Sequence, residues 1–320
     1  MMRSPRCLAV VVRSPSGSLV VRQRPWISLA KKWKFFRWPF CRGVLMLGES
    51  LHNGISALNF SAQVQEEQAD ATETPASLWV TVGLAVVLAL GLFAALPHFL
   101  TWGMGKVFDI DTLTTGKTMS FHLVDGVVKL AIFLAYVWGI SLLPDIRRVF
   151  MYHGAEHKGI YAFENGEELT LDNVRKYTTL HPRCGTSFLL VVVLVAIVVF
   201  TAVFPLVPVP SESMVANQFF FVFVKLLLLF PIAGVAYEVI RFAGKHPEKR
   251  WLRAFIWPGL MTQKITTRSP DDDQLEVAIA SLLAVLEVEK SFDRSELTEV
   301  AVKQEEFESF SAYLESLQSG

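Results

Sequence analysis

Four long apolar segments constrain this sequence more than any other feature. Residues 77–96 contain no charged side chain, and a helix of that length crosses about 30 Å of hydrocarbon. The other three are 123–143 with Asp125 and Lys129, 188–206, and 219–240 with Lys225 and Glu238. Hydrophobic residues make up 52% of the 320 residues, and the mean hydropathy is +0.39, which is high for a soluble protein. The sequence predicts an all-α polytopic membrane protein with about four transmembrane helices.

The lysines and arginines outside these segments fall into blocks of alternating size. Ten precede residue 77, two lie in 98–122, six in 144–187, none in 207–218, and ten follow residue 240. Because short cytoplasmic loops carry the excess of lysine and arginine, both termini and the loop 144–187 are predicted to be cytoplasmic. The N-terminus lacks the long apolar core of a signal peptide. All three cysteines then face a compartment where thiols stay reduced.

The flanking segments predict smaller elements beside the membrane domain, which we place at 77–240. Residues 1–30 contain two β-branched runs around a turn, typical of a β-hairpin on the cytoplasmic side. Basic, aromatic composition favours an interfacial or partly inserted helix at 31–61 and an interfacial segment at 241–268, in contact with the bilayer and its anionic headgroups. The remaining parts are an acidic linker at 62–76, and an amphipathic helix with a solvated acidic tail, a candidate protein-binding segment, at 269–320. No nucleic-acid-binding pattern is present.

The loop 144–187 carries the residues most suited to chemistry. Its first part is expected to prolong the second apolar helix, which would place His153, Glu156 and His157 on one helical face. Two histidines at this spacing can bind one Zn²⁺, and a neighbouring glutamate can accept a proton from water. His-x-x-Glu-His is also the inverted zinc-peptidase pattern. The alternative interpretation is a polar cap at the membrane surface, and Gly154 weakens the helical pattern.

A metal site needs at least one more ligand, and the sequence offers His181 and Cys184 just before the third apolar segment. Both side chains are good zinc donors, although His181-Pro182 is also a plain chain break. Glu238 near the end of the fourth segment would reach the same depth, either at the site or in an ion pair with Arg241. The side chains that we expect to support the ligands are Tyr152, Arg183, Glu238 and Arg241.

The other ionisable residues in or near the apolar segments receive simpler interpretations. Asp125 and Lys129 are four residues apart, which predicts a simple ion pair. Lys225 is expected to extend to the membrane surface, and His98 and His122 to lie outside, unrelated to the site. A transporter that uses Asp125, Lys129, Lys225 and Glu238 ranks last because these charges are predicted to lie at different depths.

Four stretches together resemble the YqhQ-like family of bacterial multi-pass membrane proteins of unknown function. They are RRVFMYHGAEHK, YAFENGEELTLDNVRKYTTLHPRCGTSF, YEVIRFAG and ITTRSPDDDQLEVAI. The resemblance extends over about residues 1–286 and implies a metal-dependent enzyme in the bacterial cytoplasmic membrane. The resemblance implies a glycine-rich stretch with a glutamate ahead of the Met-Met-Arg at which this chain begins, so either the start codon was assigned late or a strand and an acidic residue are missing.

These observations lead to two functional hypotheses. In the first, a divalent metal, expected to be Zn²⁺, is bound by His153 and His157 with His181 or Cys184, and Glu156 acts as general base in a hydrolase at the cytoplasmic leaflet. In the second, the same polar cluster only joins helix ends in a membrane scaffold, insertion factor or transporter subunit.

Overall fold

The computed structural model describes residues 1–26, 28–29, 33–34, 38–66, 75–182, 184–246, 250–293 and 302–319. Most of these residues are helical, and a small antiparallel sheet is formed near the N-terminus. Four helices are long and apolar enough to cross a membrane, as the sequence predicts. They are Val80–Val107, Met119–Ile140, Ser187–Leu206 and Met214–Ala243.

The first of these apolar helices is longer than its uncharged segment. A π-helical turn, Gly91–Ala95, joins two α-helices into one rod that ends at Val107. His98 therefore lies within this helix, and the prediction that it lies outside is wrong. In chain order the helices are α1 (Cys41–Glu66), α2 (Pro75–Leu90), α3 (Leu96–Val107), α4 (Asp111–Thr114), α5 (Met119–Ile140), α6 (Pro144–Glu164), α7 (Leu171–Arg175), α8 (Gly185–Val203), α9 (Met214–Lys245), α10 (Arg250–Thr266), α11 (Asp272–Asp293) and α12 (Phe310–Ser319).

Helix α6 does not prolong α5, contrary to the prediction. Helix α5 ends at Ile140, and Leu143 has an extended backbone with ψ of 130°. Pro144 stands in the first turn of α6, where its missing N–H is not needed, and it disfavours helical backbone in the preceding residue. Helix α6 consequently starts anew and packs against α11 through Ala155 and Ala162.

The sheet has the order β1–β2–β3–β4, and β2 with β3 forms the predicted hairpin. Odd-numbered residues of β2, such as Ala9 and Val11, pack in the core with α11. Even-numbered residues, such as Leu8 and Val10, pack with Phe60 of α1. Alternation with period two thus lets one strand join two helices. The strands are Met2–Arg3, Cys7–Arg13, Leu19–Pro25 and Lys303–Phe307.

The acidic tail is folded, whereas the sequence predicts a solvated helix. Strand β4 pairs antiparallel with β3, with Val20 opposite Glu306. Tyr313 of α12 is buried, and its hydroxyl donates to the carbonyl of Ala280 at 3.3 Å. The strand escapes prediction because it is a mostly exposed, polar edge strand without a hydrophobic pattern.

The predicted interfacial segments are described only in part. Helix α1 begins at Cys41, later than the predicted start at residue 31, and Trp38 just before it is 65% exposed. Within the predicted helix 31–61 and linker 62–76, residues 31–32, 35–37 and 67–74 lie outside the described residues.

Five ionisable side chains meet inside the helical bundle: His98, His122, Asp125, Lys129 and Lys225. We call this group the lysine–aspartate cluster. The predicted Asp125–Lys129 contact is present at 3.4 Å. Lys225, however, is buried with its Nζ 2.8 Å from Asp125, so the prediction that it extends to the surface is wrong. His122 is also fully buried, because neighbouring helices cover its side of α5.

Candidate metal centre

Helix α6 presents two histidines to one point, as their spacing predicts. The ring centroids of His153 and His157 are 4.4 Å apart. Gly154, between them, lets the chain approach closely, because an added Cβ would overlap the carbonyl oxygen of Arg268. The backbone N–H of Arg268 donates to the Phe150 carbonyl at 2.9 Å. The glycine that weakens the helical pattern is therefore a docking point between α6 and the chain after α10.

Cys184 completes a group of three donor side chains. Its Sγ is 3.2 Å from Nε2 of His153, and one donor atom each of His153, His157 and Cys184 lie within 4.8 Å of one another. We call these residues the histidine–cysteine cluster. Cys184 directly precedes α8, so the start of that helix fixes its position relative to α6. Imidazole nitrogen and thiolate sulfur are the preferred donors of zinc sites.

Backbone carbonyls orient both imidazole rings. Nδ1 of His153 lies 2.9 Å from the carbonyl oxygen of Thr266, and Nδ1 of His157 contacts the carbonyl oxygen of Thr179. A carbonyl only accepts hydrogen bonds, so each Nδ1 is the protonated donor. In a neutral ring the lone pair then remains on Nε2. Metal-binding histidines typically have such a carbonyl partner on the other ring nitrogen.

The electrostatics of the cluster favour a thiolate. Burial alone would raise the pKa of Cys184, but hydrogen bonds and positive charge from His153 and His157 outweigh it and lower the pKa to about 5. Burial likewise would lower the pKa of His153, yet its hydrogen bond with Cys184 and the negative charge there raise it. A deprotonated thiol is the form that binds metals and acts as a nucleophile.

His181 lies next to the three donors but is not one of them. Its ring centroid is 5.6 Å from that of His157 and 4.7 Å from that of Tyr161, and its Nε2 is 3.5 Å from Oε2 of Glu164. Gln263 holds its backbone from both directions with two 2.8 Å hydrogen bonds. His181 therefore occupies a position next to the cluster and lines the same cavity.

A cavity of about 630 Å³ opens beside the histidine–cysteine cluster, within the size range of small-molecule sites. Its wall includes Glu156 and Glu164 as well as the cluster and His181. The Glu156 carboxylate is not one of the three grouped donors, and it accepts a hydrogen bond from the Met1 ammonium at 2.8 Å. Two carboxylates thus border the cavity without belonging to the donor group.

The structure describes three of the four predicted supporting residues, Tyr152, Glu238 and Arg241, and none of these three belongs to the donor group. Tyr152 packs in the core between α6 and α11. Glu238 receives two hydrogen bonds from Arg42 of α1, so in the described part of the chain its ion pair is with Arg42 rather than Arg241. Arg183 lies outside the described residues.

Sequence reasoning missed Thr179 and Thr266, which orient the cluster histidines, and Gln263, which fixes the neighbouring His181. Two of these act through backbone carbonyls, for which side-chain identity gives no information. Gln263 is fully buried and also donates to Ser187 at 2.8 Å. The polar pair Thr262-Gln263, inside the basic, aromatic helix α10, is the sequence feature that could have indicated the role of Gln263.

Comparison with known proteins identifies relatives but no activity. The chain is 30% identical over 281 residues to the uncharacterized protein YqhQ of Bacillus subtilis (strain 168), which covers 84% of this chain and 81% of that protein. No solved structure matches the chain. A family model described as a protein of unknown function, DUF1385, matches residues 38–288. These matches confirm the resemblance found in the sequence, and the chain belongs to the DUF1385 family of proteins of unknown function.

Proposed function

We propose that this protein is a metal-dependent enzyme of the bacterial cytoplasmic membrane, with Zn²⁺ held by His153, His157 and Cys184. The observation that carries the proposal is the convergence of three soft or borderline donors within 4.8 Å, with both histidines oriented by carbonyls. Three protein ligands and one open position are typical of catalytic zinc, whereas structural zinc has four. His181, which lines the same cavity, is a candidate for a fourth ligand.

The proposed reaction is hydrolysis of a peptide or lipid-linked substrate in the adjoining cavity. Bound Zn²⁺ would supply Lewis acidity that lowers the pKa of water and polarises a carbonyl. We assign Glu156 as the general base, because its carboxylate is close enough to His153 to help raise the pKa of that ring and it borders the cavity. The role requires its carboxylate to turn from Met1 toward the cluster.

The fold supports a membrane placement with both chain ends on one side. Strands β3 and β4 come from opposite ends of the chain and pair in one sheet, so these two segments cannot lie on different sides of a bilayer. Four membrane crossings between β3 and β4, an even number, return the chain to the side on which it started and so satisfy this condition. The first apolar helix leaves Val87 and Leu88 65% and 63% exposed, which suits contact with lipid. The alternation of positive charge favours the cytoplasm as the shared side.

Elemental mass spectrometry of detergent-purified protein tests the metal site. We expect about one zinc per chain, lost in His153→Ala/His157→Ala and in Cys184→Ser. Exposed His52 provides the matched control, so His52→Ala should retain zinc. Thermal unfolding of each variant shows whether it is folded. Absence of metal from protein prepared without chelators, and again after incubation with zinc, would contradict the proposal.

The scaffold hypothesis has a specific observation in its favour. Gln263 bonds the backbone of His181 and the side chain of Ser187, so it joins α10 to the start of α8 without any metal. Glu156→Gln separates the two hypotheses. An enzyme keeps its zinc but loses hydrolysis of vesicle-borne ester or peptide substrates, whereas a scaffold is unaffected as long as packing holds.

A further inference from the structure

The lysine–aspartate cluster is a second polar centre that the proposed enzyme does not use. Its members come from three of the four apolar helices: His98 from the first, three residues from α5, and Lys225 from α9. All five are at least 95% buried. Ionisable residues inside an apolar bundle are costly and commonly mark a functional path or site.

Directed hydrogen bonds order one side of the cluster. Nε2 of the Gln218 side-chain amide donates to the carbonyl of Thr114 at 3.1 Å, which leaves Oε1 of Gln218 facing His98. Nε2 of His98 lies 2.9 Å from that oxygen and therefore carries a proton. Nδ1 is then the acceptor for the Lys225 ammonium at 3.0 Å, and Lys225 also donates to Asp125. Lys225 is thus placed between a neutral base and an anion.

The cluster contains more positive than negative groups. Lys129 and Lys225 share one carboxylate, Asp125, which is 3.4 Å from the first and 2.8 Å from the second. Helix α8, which packs alongside, contributes no ionisable residue between 185 and 203. It contributes Phe200, whose ring lies 4.8 Å from the Lys129 ammonium and 5.6 Å from that of Lys225. With neutral histidines the net charge is +1, and loss of one proton neutralises it.

One carboxylate oxygen on the other side of the cluster lacks a partner. Oδ1 of Asp125 makes no hydrogen bond with the described residues, whereas the His122 ring lies beside the backbone of Gly116. The His122 ring packs against Phe204 at 4.3 Å between centroids and lies near Phe200. The free oxygen of the Asp125 carboxylate can accept a proton, or a hydrogen bond from water that reaches the cluster.

We propose that these five side chains form a proton-binding site inside the helical bundle, which holds one labile proton and exchanges it with water. In the exchange, one N–H bond of a lysine ammonium breaks, its electron pair stays on nitrogen, and the proton passes to water. Lys225 can also transfer its proton over 3.0 Å to Nδ1 of His98, which leaves the cluster charge unchanged. The residues left after release are one ammonium, one neutral amine and one carboxylate.

The proton-binding site rests on the proposed membrane placement of the helices, but it does not rest on the proposed zinc site. Beyond Lys129, α5 continues through Phe133 and Val137, which pack with Leu190 in an apolar cluster. This apolar layer lies along α5 between the lysine–aspartate cluster and the end of the helix that leads to α6.

Nitrogen-15 NMR of detergent-purified protein labelled at lysine and histidine tests the proposal, because it distinguishes ammonium from amine and imidazole from imidazolium. Between about pH 5 and about pH 9, the wild-type cluster should lose one proton, and the signal of partly exposed Lys117 outside the cluster serves as the reference. Lys129→Met removes the excess charge and should abolish the transition. Asp125→Asn removes the anion and should shift the transition to lower pH.

The site is overturned if all cluster nitrogens keep one protonation state over this range in the wild type, or if Lys129→Met titrates like the wild type. His153→Ala/His157→Ala should lose zinc and keep the transition. Vesicle flotation measures membrane insertion separately, so failure of the membrane placement, of the metal site and of the proton site are distinguishable.

Discussion

The histidine–cysteine cluster and the lysine–aspartate cluster are both largely buried, yet they differ in donor type, charge and access. The first offers imidazole and thiolate donors, oriented by backbone carbonyls, beside a cavity. The second contains two ammonium groups, one carboxylate and two histidines enclosed by phenylalanine rings. A metal needs lone pairs and a route of entry, whereas a proton can be held by closely spaced bases that share an unbalanced charge. The surroundings of each cluster, rather than histidine content, thus distinguish their chemistry.

The largest expected effect concerns the acidity of Cys184 in metal-free protein. Because its pKa of about 5 lies below the ordinary value of 9.0, ionisation of Cys184 stabilises the fold above pH 9, and this contribution is lost as the pH falls through 5. His153→Gln/His157→Gln should move the pH of half-maximal alkylation toward 9.0. Mass spectrometry locates the modified residue, and buried Cys7, whose pKa is raised to about 11 by burial, serves as an unreactive reference. An unchanged alkylation profile would mean that the histidines do not activate the thiol.

The second effect is the destabilisation caused by Asp125→Asn. It leaves two buried ammonium groups without an anion, and loss of one partner of a buried charge pair costs about 3–5 kcal/mol. Lys225→Met is the contrasting variant because it leaves the neutral Asp125–Lys129 pair, and it should be less damaging. Chemical unfolding in detergent measures both. Equal destabilisation by the two variants would show that net charge does not control this cluster.

A third comparison uses two glycines of α6. Gly154→Ala places a methyl group against the Arg268 carbonyl, and overpacking of this kind costs about 1–3 kcal/mol. Gly159→Ala meets no atom within 4 Å and should stabilise the helix by about 0.5–1 kcal/mol. Thermal unfolding should show a lower melting temperature for Gly154→Ala and a higher one for Gly159→Ala. The zinc content of Gly154→Ala should also fall, since His153 is adjacent, and a normal content would show that this close contact does not position the cluster.

The smallest expected effect is that of Lys129→Met on stability. Its contact with Asp125 is long, at 3.4 Å, and removal of an excess buried charge offsets the lost attraction. The free energy of unfolding should stay within about 1 kcal/mol of the wild-type value. A large loss of stability would mean that Lys129 has a structural role, which contradicts its assignment to proton exchange.

The sequence predicts features that depend on one segment at a time. The four apolar helices follow from composition, and His153 and His157 share a face because of helical spacing. Features that depend on packing between segments could not be predicted. Lys225 extends to the surface when α9 is considered alone, but in the fold Asp125 of another helix lies beside it.

The candidate site shows the same limit. Cys184 was one of two possible third donors, and only packing distinguishes it from His181. The carbonyls of Thr179 and Thr266 could not be recognised, because every residue has such a group. Strand β4 could not be predicted because its side chains are mostly polar and its partner, β3, is far away in the sequence.

The pairing of β3 with β4 also affects biosynthesis. Oγ of Ser18 donates to Oε1 of Glu306, a residue 288 positions later in the chain. A ribosome adds about 5–20 residues per second, so β4 is synthesised many seconds after the β2–β3 hairpin. During this time the β3 edge is open to other strands or to chaperones. The four apolar helices are all translated during this interval. Closure of the sheet is therefore a late event that occurs only in chains whose synthesis has passed the last apolar helix, and a stalled or truncated chain would retain the open edge.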